Sequence, residues 1–567
     1  METNPTHYQL PEFAFVPPPE LAGDAADRPR QRYPLVIVGA GLAGLTLAAD
    51  LASRGVACTV LDEDHTVGVR GASSRGIAYM QKTLEIMERI GVYERIAAKG
   101  TRWSAGKVLS GHDVLYAYDF QPASVSLQPP FINIQQFYVE WYLVDRIREL
   151  GITDLRWKSR VTGARNLDDR VELDVETPVG RYTLEADWVV DAEGVNSTVR
   201  QLLRLPERTE RGQDRWCITD VKFTHKRVNE RWTWVEAPFN GNRGVWQHLM
   251  ADQVWRLDFQ MAPDADPATV SRHDVARERV QAMLGQDVEF EIVWVGAYSY
   301  RTMLMERFRH GRLVFIGDAA HAKSPFGARG GNSGVADADN LGWKLQLLLD
   351  GRAGPEILDT YDAERRRAAE ENVRITSRTG RFMQPRSAME STLRTAVLQL
   401  AREQYAFARG LVNTGRMMAP HHYGGLPTFG PRPEDGKLVP NVPLRVAGRD
   451  AGLVDVLRDT GCELAAFVFP AAGQPPDPAS LESALAGLPV RLLRVGRDVE
   501  DAAGLLAAQT AAGPGDVALV RPDGHLAAGL PAHDAQALRA AVLRTLGRAL
   551  PPSADAHGTR PLIAEAA

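Results

Sequence analysis

The sequence predicts an α/β protein: a parallel sheet wound with helices, an antiparallel sheet inserted into it, and a smaller α/β unit near the C-terminal end. Three observations carry this expectation. Leu35-Val36-Ile37-Val38 is a short apolar run, followed by a glycine-rich turn, a helical pattern from Leu42 to Ser53 ended by Gly55, and a second strand pattern over 57–61. That β-α-β order, with strands apolar on both faces, belongs to a parallel sheet. Residues 213–300 then change character and hold six tryptophans (216, 232, 234, 246, 255 and 294) among β-forming residues, which suits an antiparallel layer. Finally, the loop-rich stretch from Gly424 to Pro443 precedes new strand patterns at 464–469, 490–495 and 516–520.

The remaining elements follow in order. Residues 1–33 are rich in proline and polar groups and read as an extended N-terminal arm. Residues 34–212 form the first part of the parallel unit, with a strand expected from about Arg181 to Val190. The antiparallel layer occupies 213–300. The chain returns at 301–385 through a strand at Arg312–Ile316 and a helix from about Gly334 to Leu349. A helical connector spans 386–425. The C-terminal unit covers 426–550, with a hairpin turn at Asp523-Gly524 and a last helix carrying Leu538, Val542, Leu546 and Leu550 at helical spacing; 551–567 is a tail.

A chain of 567 residues is too long for one compact core, so two or three domains are expected. The net charge of −5 gives no signature for nucleic acid. No apolar run reaches the length needed to cross a bilayer and no secretory leader is visible, so a membrane partner is not expected. Cys58, Cys217 and Cys462 are isolated and odd in number, which argues against a disulfide framework or a cysteine metal site and suits a reducing cytoplasm. A homodimer is compatible with all of this.

The first chemical motif is Gly39-Ala40-Gly41-Leu42-Ala43-Gly44, a G-x-G-x-x-G pattern between a strand and a helix, with Asp62 closing the second strand. Gly39 permits the tight turn, Gly41 lets backbone approach a pyrophosphate, and Gly44 lets helix and strand pack closely. The helix amino terminus offers free N–H groups and the positive end of its dipole to the phosphates. Asp62 is suited to ribose hydroxyls. By itself the fingerprint serves FAD or NAD equally well. A second motif, Gly317-Asp318 at the end of a strand, places a carboxylate where it can bind sugar-type hydroxyls or cap a helix. A third, from Pro325 through Gly330, Gly331 and Asn332 to Gly334, is a glycine-dense loop entering a helix. Backbone N–H groups there would face an acceptor on a flat ligand, and the helix terminus would stabilise the negative charge of a reduced flavin.

Taken in order, these motifs resemble the class A flavoprotein aromatic hydroxylases, which include p-hydroxybenzoate, phenol and 3-(3-hydroxyphenyl)propionate hydroxylases. The resemblance runs over residues 33–385 and rests also on Ser73-Ser74-Arg75-Gly76, Gln136 to Glu140, Asp191-Ala192-Glu193-Gly194 and Asp337 to Leu345. It implies a Rossmann-like FAD-binding domain with an inserted antiparallel-sheet substrate domain, and a C-terminal thioredoxin-like domain that lacks the paired cysteines of a redox module. By that resemblance Arg75 and Gln136 contact FAD, Asp318 its ribityl-phosphate region, and 325–332 its ring. The implied reaction reduces FAD with NADPH or NADH as a transient co-substrate, adds O2 to give a flavin hydroperoxide, and hydroxylates a small aromatic substrate. Two departures stand out: Glu193 where the family has aspartate, and Arg329 where a smaller or neutral residue is commoner. All flavin motifs lie upstream of residue 425, so removing the C-terminal unit is expected to leave FAD binding largely intact.

The tryptophan-rich layer is the expected substrate wall, with Trp234, Trp246, His248 and Tyr300 as candidates beside ordinary core packing. His248 is also a candidate base for a phenol, and Arg329 a candidate cation at the flavin. Other FAD-dependent chemistry remains open on these residues, either a dehydrogenase or a halogenase, though the halogenase W-x-W-x-I motif is absent; Trp232-Thr233-Trp234-Val235-Glu236 only approaches it. A flavin-binding regulator without turnover is the third reading.

Overall fold

The computed structural model describes residues 8–22, 30–68, 76–119, 125–225, 227–403, 410–415, 417–471, 478–532 and 534–548. The chain enters at β1 (Arg32–Val38), turns into α1 (Leu42–Ser53) and returns through β2 (Thr59–Leu61). A hairpin of β3 (Ala105–Ser110) and β4 (Asp113–Asp119) leaves this unit, and α2 (Gln136–Leu150) leads back to β5 (Asp154–Arg156). A meander of β6 (Arg160–Asn166) and β7 (Val171–Thr177) ends in the long β8 (Gly180–Asp191). The second layer is built from β9 (Glu207–Phe223), β10 (Arg231–Ala237), β11 (Arg243–Leu249), β12 (Val254–Gln260), the helix α3 (His273–Leu284) and β13 (Phe290–Met305). The chain then returns through β14 (Arg309–His310) and β15 (Leu313–Phe315) to the long helices α4 (Arg329–Leu349), α5 (Ile357–Met383) and α6 (Ala388–Glu403).

Strands β15, β8, β1, β2 and β5 lie side by side and parallel, with Val36, Ile37 and Val38 of β1 facing Val189, Val190 and Asp191 on one side and Thr59, Val60 and Leu61 on the other. Apart from exposed Pro34 and half-buried Tyr33 and Leu155, their apolar side chains are buried, as a sheet covered on both faces requires. Because β1 is central and its neighbours are reached by crossovers in opposite directions, the strand ends leave a crevice beside Gly39, where ligands bind in open α/β sheets.

The second sheet has the order β13-β9-β12-β11-β10-β3-β4. It reaches beyond the tryptophan-rich segment: the hairpin at 105–119 joins it, β3 running parallel to β10. One face packs through Cys217, Trp234, Leu257 and Phe259 onto Ala276 and Val280 of α3. The opposite face, with Trp216, Val235 and Trp246, meets Phe326, Met383 of α5, and Val397, Leu398 and Ala401 of α6.

The C-terminal unit is a four-stranded mixed sheet of β16 (Leu464–Val468), β17 (Val490–Arg494), β18 (Asp516–Val520) and β19 (Leu526–Pro531), in the order β17-β16-β18-β19, closed by α7 (Ala535–Thr545). Only β16 and β17 are parallel, which is the thioredoxin-like arrangement. Its sole cysteine in the described residues, Cys462, is buried and unpaired. Leu538, Val542 and Leu546 are buried as their spacing requires; Leu550 lies outside the described residues. The N-terminal arm is extended but docked: Phe13 stacks on Trp157 at 4.5 Å, and buried Glu20 pairs with Arg156 at 3.1 Å. Among the described residues no helix is long and apolar enough to cross a membrane.

Candidate functional site

The three glycines of the first motif occupy three different environments. Gly39 takes φ +104° and a Cβ on it would lie 2.6 Å from the Ala192 carbonyl oxygen. At Gly44 a Cβ would lie 2.0 Å from the Gly39 oxygen, so both positions are closed by backbone. A Cβ on Gly41 meets nothing within 4 Å. Gly41 is also the N-cap of α1 and supplies no side chain to its first N–H groups. An open glycine at the start of a helix, with no side chain of its own over the first N–H groups, is what a pyrophosphate requires.

Helix α4 presents the same arrangement beside it. Its first turn includes Gly330, Gly331 and Asn332, which the sequence reading had placed in the loop before the helix. Ala328, the N-cap, holds φ +54°, and no side chain caps the terminus. A Cβ at Gly330 again meets nothing within 4 Å, whereas one at Gly331 would press on Leu42 at 3.0 Å and one at Gly334 on Ala43 at 3.2 Å. The glycine density therefore has two causes. Gly331 and Gly334 let α4 lie against α1, and Gly330 leaves space at the helix start. The close packing sets the two amino termini side by side.

Asp62 accepts N–H groups from Ala40 at 2.5 Å and Asp64 at 2.8 Å, and burial raises its carboxyl to about 6. Asp318 lies half-buried in the turn after β15, beside Gly317 at φ +60°. Asn332 is already saturated: its oxygen accepts from Met80 N–H (3.0 Å) and Thr83 hydroxyl (2.6 Å), and its nitrogen donates to the Ala78 and Ala328 carbonyls. Its side chain ties the 78–83 segment to α4, so only its backbone is left for a ligand. Gln136 accepts from Gly76 N–H and donates to Glu140, each at 2.8 Å. Pro325 is exposed at the loop entrance. Arg75 lies outside the described residues.

Arg329 is directed elsewhere. It is 4% exposed and donates to the Asn372 side chain of α5 at 2.5 Å. Glu193 accepts the Val199 N–H at 3.0 Å at the start of a short helix, and so has a capping role that its extra methylene permits. Asp191, buried at the end of β8 with Glu193 nearby, has its carboxyl pushed up to about 8.

Behind the second motif lies a chain of buried polar groups that sequence reasoning did not assign. Asp337 of α4 accepts from Gly317 N–H (2.9 Å), His321 Nε2 (2.8 Å) and Arg365 Nε (2.6 Å). Lys323 donates to His321 Nδ1 at 2.8 Å, and burial lowers its ammonium to about 8. These contacts hold the 317–323 turn rigidly against α4. The signal available was the reappearance of Asp337 one helical stretch after the Gly317-Asp318 motif.

The four substrate-wall candidates divide between the two faces of the second sheet. Trp234 faces α3, packed on Phe239 at 5.5 Å, and is core. This corrects its assignment to the substrate wall, because its alternation phase is opposite to that of Arg231, Thr233 and Val235. Trp246, His248 and Tyr300 lie on the other face. Trp246 is 5.7 Å from Phe326 and 4.2 Å from Trp216, while Trp216 is 6.3 Å from Tyr300. Phe326 belongs to the loop that enters α4, so the aromatic face directly abuts the proposed flavin end.

That face also carries charges the sequence reading missed. Arg256 grips Asp220 through two bonds of 2.9 and 2.8 Å. His248 Nε2 lies 3.7 Å from Asp258, and burial with Arg231 and Arg256 nearby keeps its imidazole neutral. Burial raises the Asp258 carboxyl to about 7. Charged residues at alternate positions of otherwise apolar strands were the available signal.

Comparisons with known proteins agree with this geometry. A family model described as an FAD binding domain matches residues 32–376. Anhydrotetracycline monooxygenase of Streptomyces rimosus is 30% identical over 430 residues, covering 73% of this chain and 81% of that protein. The 3-(3-hydroxyphenyl)propionate/3-hydroxycinnamic acid hydroxylase of Mycolicibacterium gilvum is 29% identical over 65% of this chain and 63% of its own. Among solved structures, the flavin-dependent monooxygenase PieE with FAD and substrate superposes with a TM-score of 0.78 at 22% identity, over 92% of this chain and all of that one. The anhydrotetracycline hydroxylase OxyS of Streptomyces rimosus gives 0.69 at 26% identity, over 92% and 100%. Two adjacent helix amino termini with open glycines, the aromatic face against them and these matches together make the chain a member of the class A FAD-dependent aromatic hydroxylases, a flavoprotein monooxygenase that binds FAD.

Proposed function

We propose that this enzyme uses NADPH or NADH and O2 to place one oxygen atom on a phenolic or related aromatic ring. The observation that carries the reading is the contact of Phe326, from the loop entering α4, with Trp216 and Trp246 on the inserted sheet. A flat ring held on that face would lie at the flavin end of the FAD site. Relatives named for anhydrotetracycline and for 3-(3-hydroxyphenyl)propionate support a hydroxylated aromatic as substrate.

Bound FAD supplies the electron transfer and the oxygen chemistry. The chain's own residues do the rest. The N–H groups at the start of α1, next to Gly41, would hold the pyrophosphate, and those at the start of α4, next to Gly330, would offer donors to the flavin ring. Asp62 and Asp318 would hold sugar and ribityl hydroxyls. The aromatic face, roofed by Val397, Leu398 and Ala401 of α6, orients the substrate and excludes water. Residues 34–212, apart from the 105–119 hairpin, and 301–385 thus serve the cofactor, and 213–300 together with that hairpin serve the substrate. The test is NAD(P)H oxidation under O2 with a panel of single-ring and polycyclic phenols, with products analysed by mass. Ring-dependent oxidation yielding a product one oxygen heavier supports the reading; NAD(P)H oxidation that no aromatic stimulates, or a dehydrogenated or halogenated product, defeats it.

A further inference from the structure

The N-terminal arm is tied to the part of the crevice where Asp62 stands. Past Leu61 the chain from Asp62 to Gly68 belongs to no helix or strand, so its neighbours fix its position. On one side the turn after β5 does this: Asp62 N–H donates to the Arg156 carbonyl at 3.0 Å, Lys158 N–H to the Asp64 carbonyl at 2.9 Å and Ser159 N–H to the Asp62 carbonyl at 2.7 Å. On the other side the arm does it. Phe13 N–H donates to the His65 carbonyl and the Thr66 hydroxyl to the Pro11 carbonyl, each at 2.7 Å, and Glu12 and Thr66 pair as an isolated antiparallel bridge.

Side chains anchor the arm. The buried Phe13 ring stacks on Trp157, and the Arg148 guanidinium of α2 lies 4.6 Å from its centre. Tyr8 accepts from the Gln135 amide at 2.8 Å and packs on Phe137 at 4.9 Å, where α2 begins. The residue between those two contacts is Gln136, which holds the Gly76 N–H. The arm thus touches both segments that carry candidates for the adenosine half of the cofactor site, 62–68 and the start of α2. Pro11, Pro17, Pro18 and Pro19 restrict the undocked arm, which lowers the entropy lost when it docks. The match to the FAD binding domain begins at residue 32, so the arm is not part of that shared unit.

We propose that the arm, anchored by Phe13, is a strap that presets the 62–68 segment for the adenosine half of FAD, and that bound FAD in turn holds the arm down. Phe13 is a positioning residue, acting on Asp62 through His65 and Thr66. The inference rests on the assignment of Asp62 to the ribose. Fixing the segment before the ligand arrives removes an ordering cost from binding. Linkage then makes the effect reciprocal: a ligand that binds better to the strapped form stabilises the strap by the same factor.

The experiment has two arms, both on the full-length protein. Hydrogen exchange on the wild type compares apo-protein with protein saturated by FAD or by ADP, which carries only the adenosine half. Amides of residues 8–16 should exchange about tenfold more slowly with either ligand. Unchanged exchange of the arm under saturating FAD overturns the proposal and needs no variant to fold. The second arm measures FAD and ADP affinity. Phe13→Ala should weaken both about tenfold while the apo-protein keeps its melting temperature within a few degrees, and Phe13→Tyr should bind like the wild type. Thr66→Val, which removes one bond to the arm, should weaken both about two- to tenfold. Wild-type affinities in both Phe13→Ala and Thr66→Val overturn the proposal. Asp62→Ala separates it from the assignment beneath it. If Asp62→Ala keeps wild-type ADP affinity, the ribose lies elsewhere and both fall; if it loses ADP while Phe13→Ala binds normally, only the strap falls.

Discussion

Arg521 of the C-terminal sheet donates both terminal guanidinium nitrogens to the two carboxylate oxygens of Glu364 in α5, at 2.9 and 2.8 Å, and both side chains are fully buried. Lys344 of α4 shares the same carboxylate at 3.0 Å, and Asp523 pairs with Arg521. The thioredoxin-like unit is thus locked by charge to α5 and, through Lys344, to α4, the helix whose first turn is proposed to face the flavin. Removing residues after 425 would leave Lys344 and Glu364 at an opened surface and remove the apolar cover that Leu464, Leu519 and Val542 supply, so the truncated chain is expected to lose stability whether or not it still takes up FAD.

A milder probe of this lock is Arg521→Met. Breaking a buried pair from one side leaves an uncompensated charge and costs about 3–5 kcal/mol; Lys344 remains, so the lower end is expected. The double variant Arg521→Met/Glu364→Met should recover part of the loss, because an apolar pair removes the stranded carboxylate. Urea unfolding of the three proteins checks this. A single variant as stable as wild type would mean the bond contributes nothing net.

The contrast between Gly41 and Gly44 gives a second prediction. Gly41→Val places its side chain in open space, so the apo-protein should keep its melting temperature within a few degrees while FAD affinity falls at least about a hundredfold. Gly44→Val drives a side chain into the Gly39 carbonyl and should prevent folding. Flavin fluorescence titration with circular dichroism separates the two. Normal FAD affinity in a folded Gly41→Val protein would remove the pyrophosphate from this turn.

Much of this was legible because local chemistry and fold agree at the motif. Gly41 and Gly55 bracket α1, and its bounds came out at Leu42 and Ser53 as read. The start of α4 was not legible: Gly330, Gly331 and Gly334 oppose helix formation locally, and only packing against α1 makes them helical. The 105–119 hairpin was missed because its partner, β10, lies more than a hundred residues further on, and nothing local announces a non-local pairing. Alternation showed that Trp234 and Trp246 lie in strands, but a period of two fixes parity and not which face meets the flavin. Arg231 escaped notice for a related reason: whether a strand cation is solvated or buried depends on what covers the sheet.

The placement of Arg329 settles into a third prediction. Its guanidinium is spent on Asn372, with Glu371 close by, so it is set to hold α4 against α5. Arg329→Gln should shift the flavin potential by less than about 30 mV and lower stability by about 1–3 kcal/mol. A dye-referenced redox titration and urea unfolding on the same preparations measure both. A larger drop in potential with unchanged stability would return Arg329 to the flavin.

The last prediction concerns pH and Asp258. Burial raises its carboxyl from the ordinary 3.8 to about 7, in spite of Arg256 and Arg231 nearby. Between those values the folded protein holds a proton that the unfolded chain has released, so stability falls as pH rises through this window. The contribution is whole below about pH 4 and lost above about pH 7. At 1.36 kcal/mol per unit the full excursion is about 4 kcal/mol, an upper bound. Asp258→Asn cannot ionise and should lack this slope. The wild type should therefore lose stability relative to Asp258→Asn between pH 4 and 7.5, with the two curves parallel at either end. The comparison is made on apo-protein by urea unfolding at constant ionic strength, since the other titrating groups cancel in the difference. A flat stability difference across the whole range would show that Asp258 is ionised throughout it, and that burial does not raise its carboxyl.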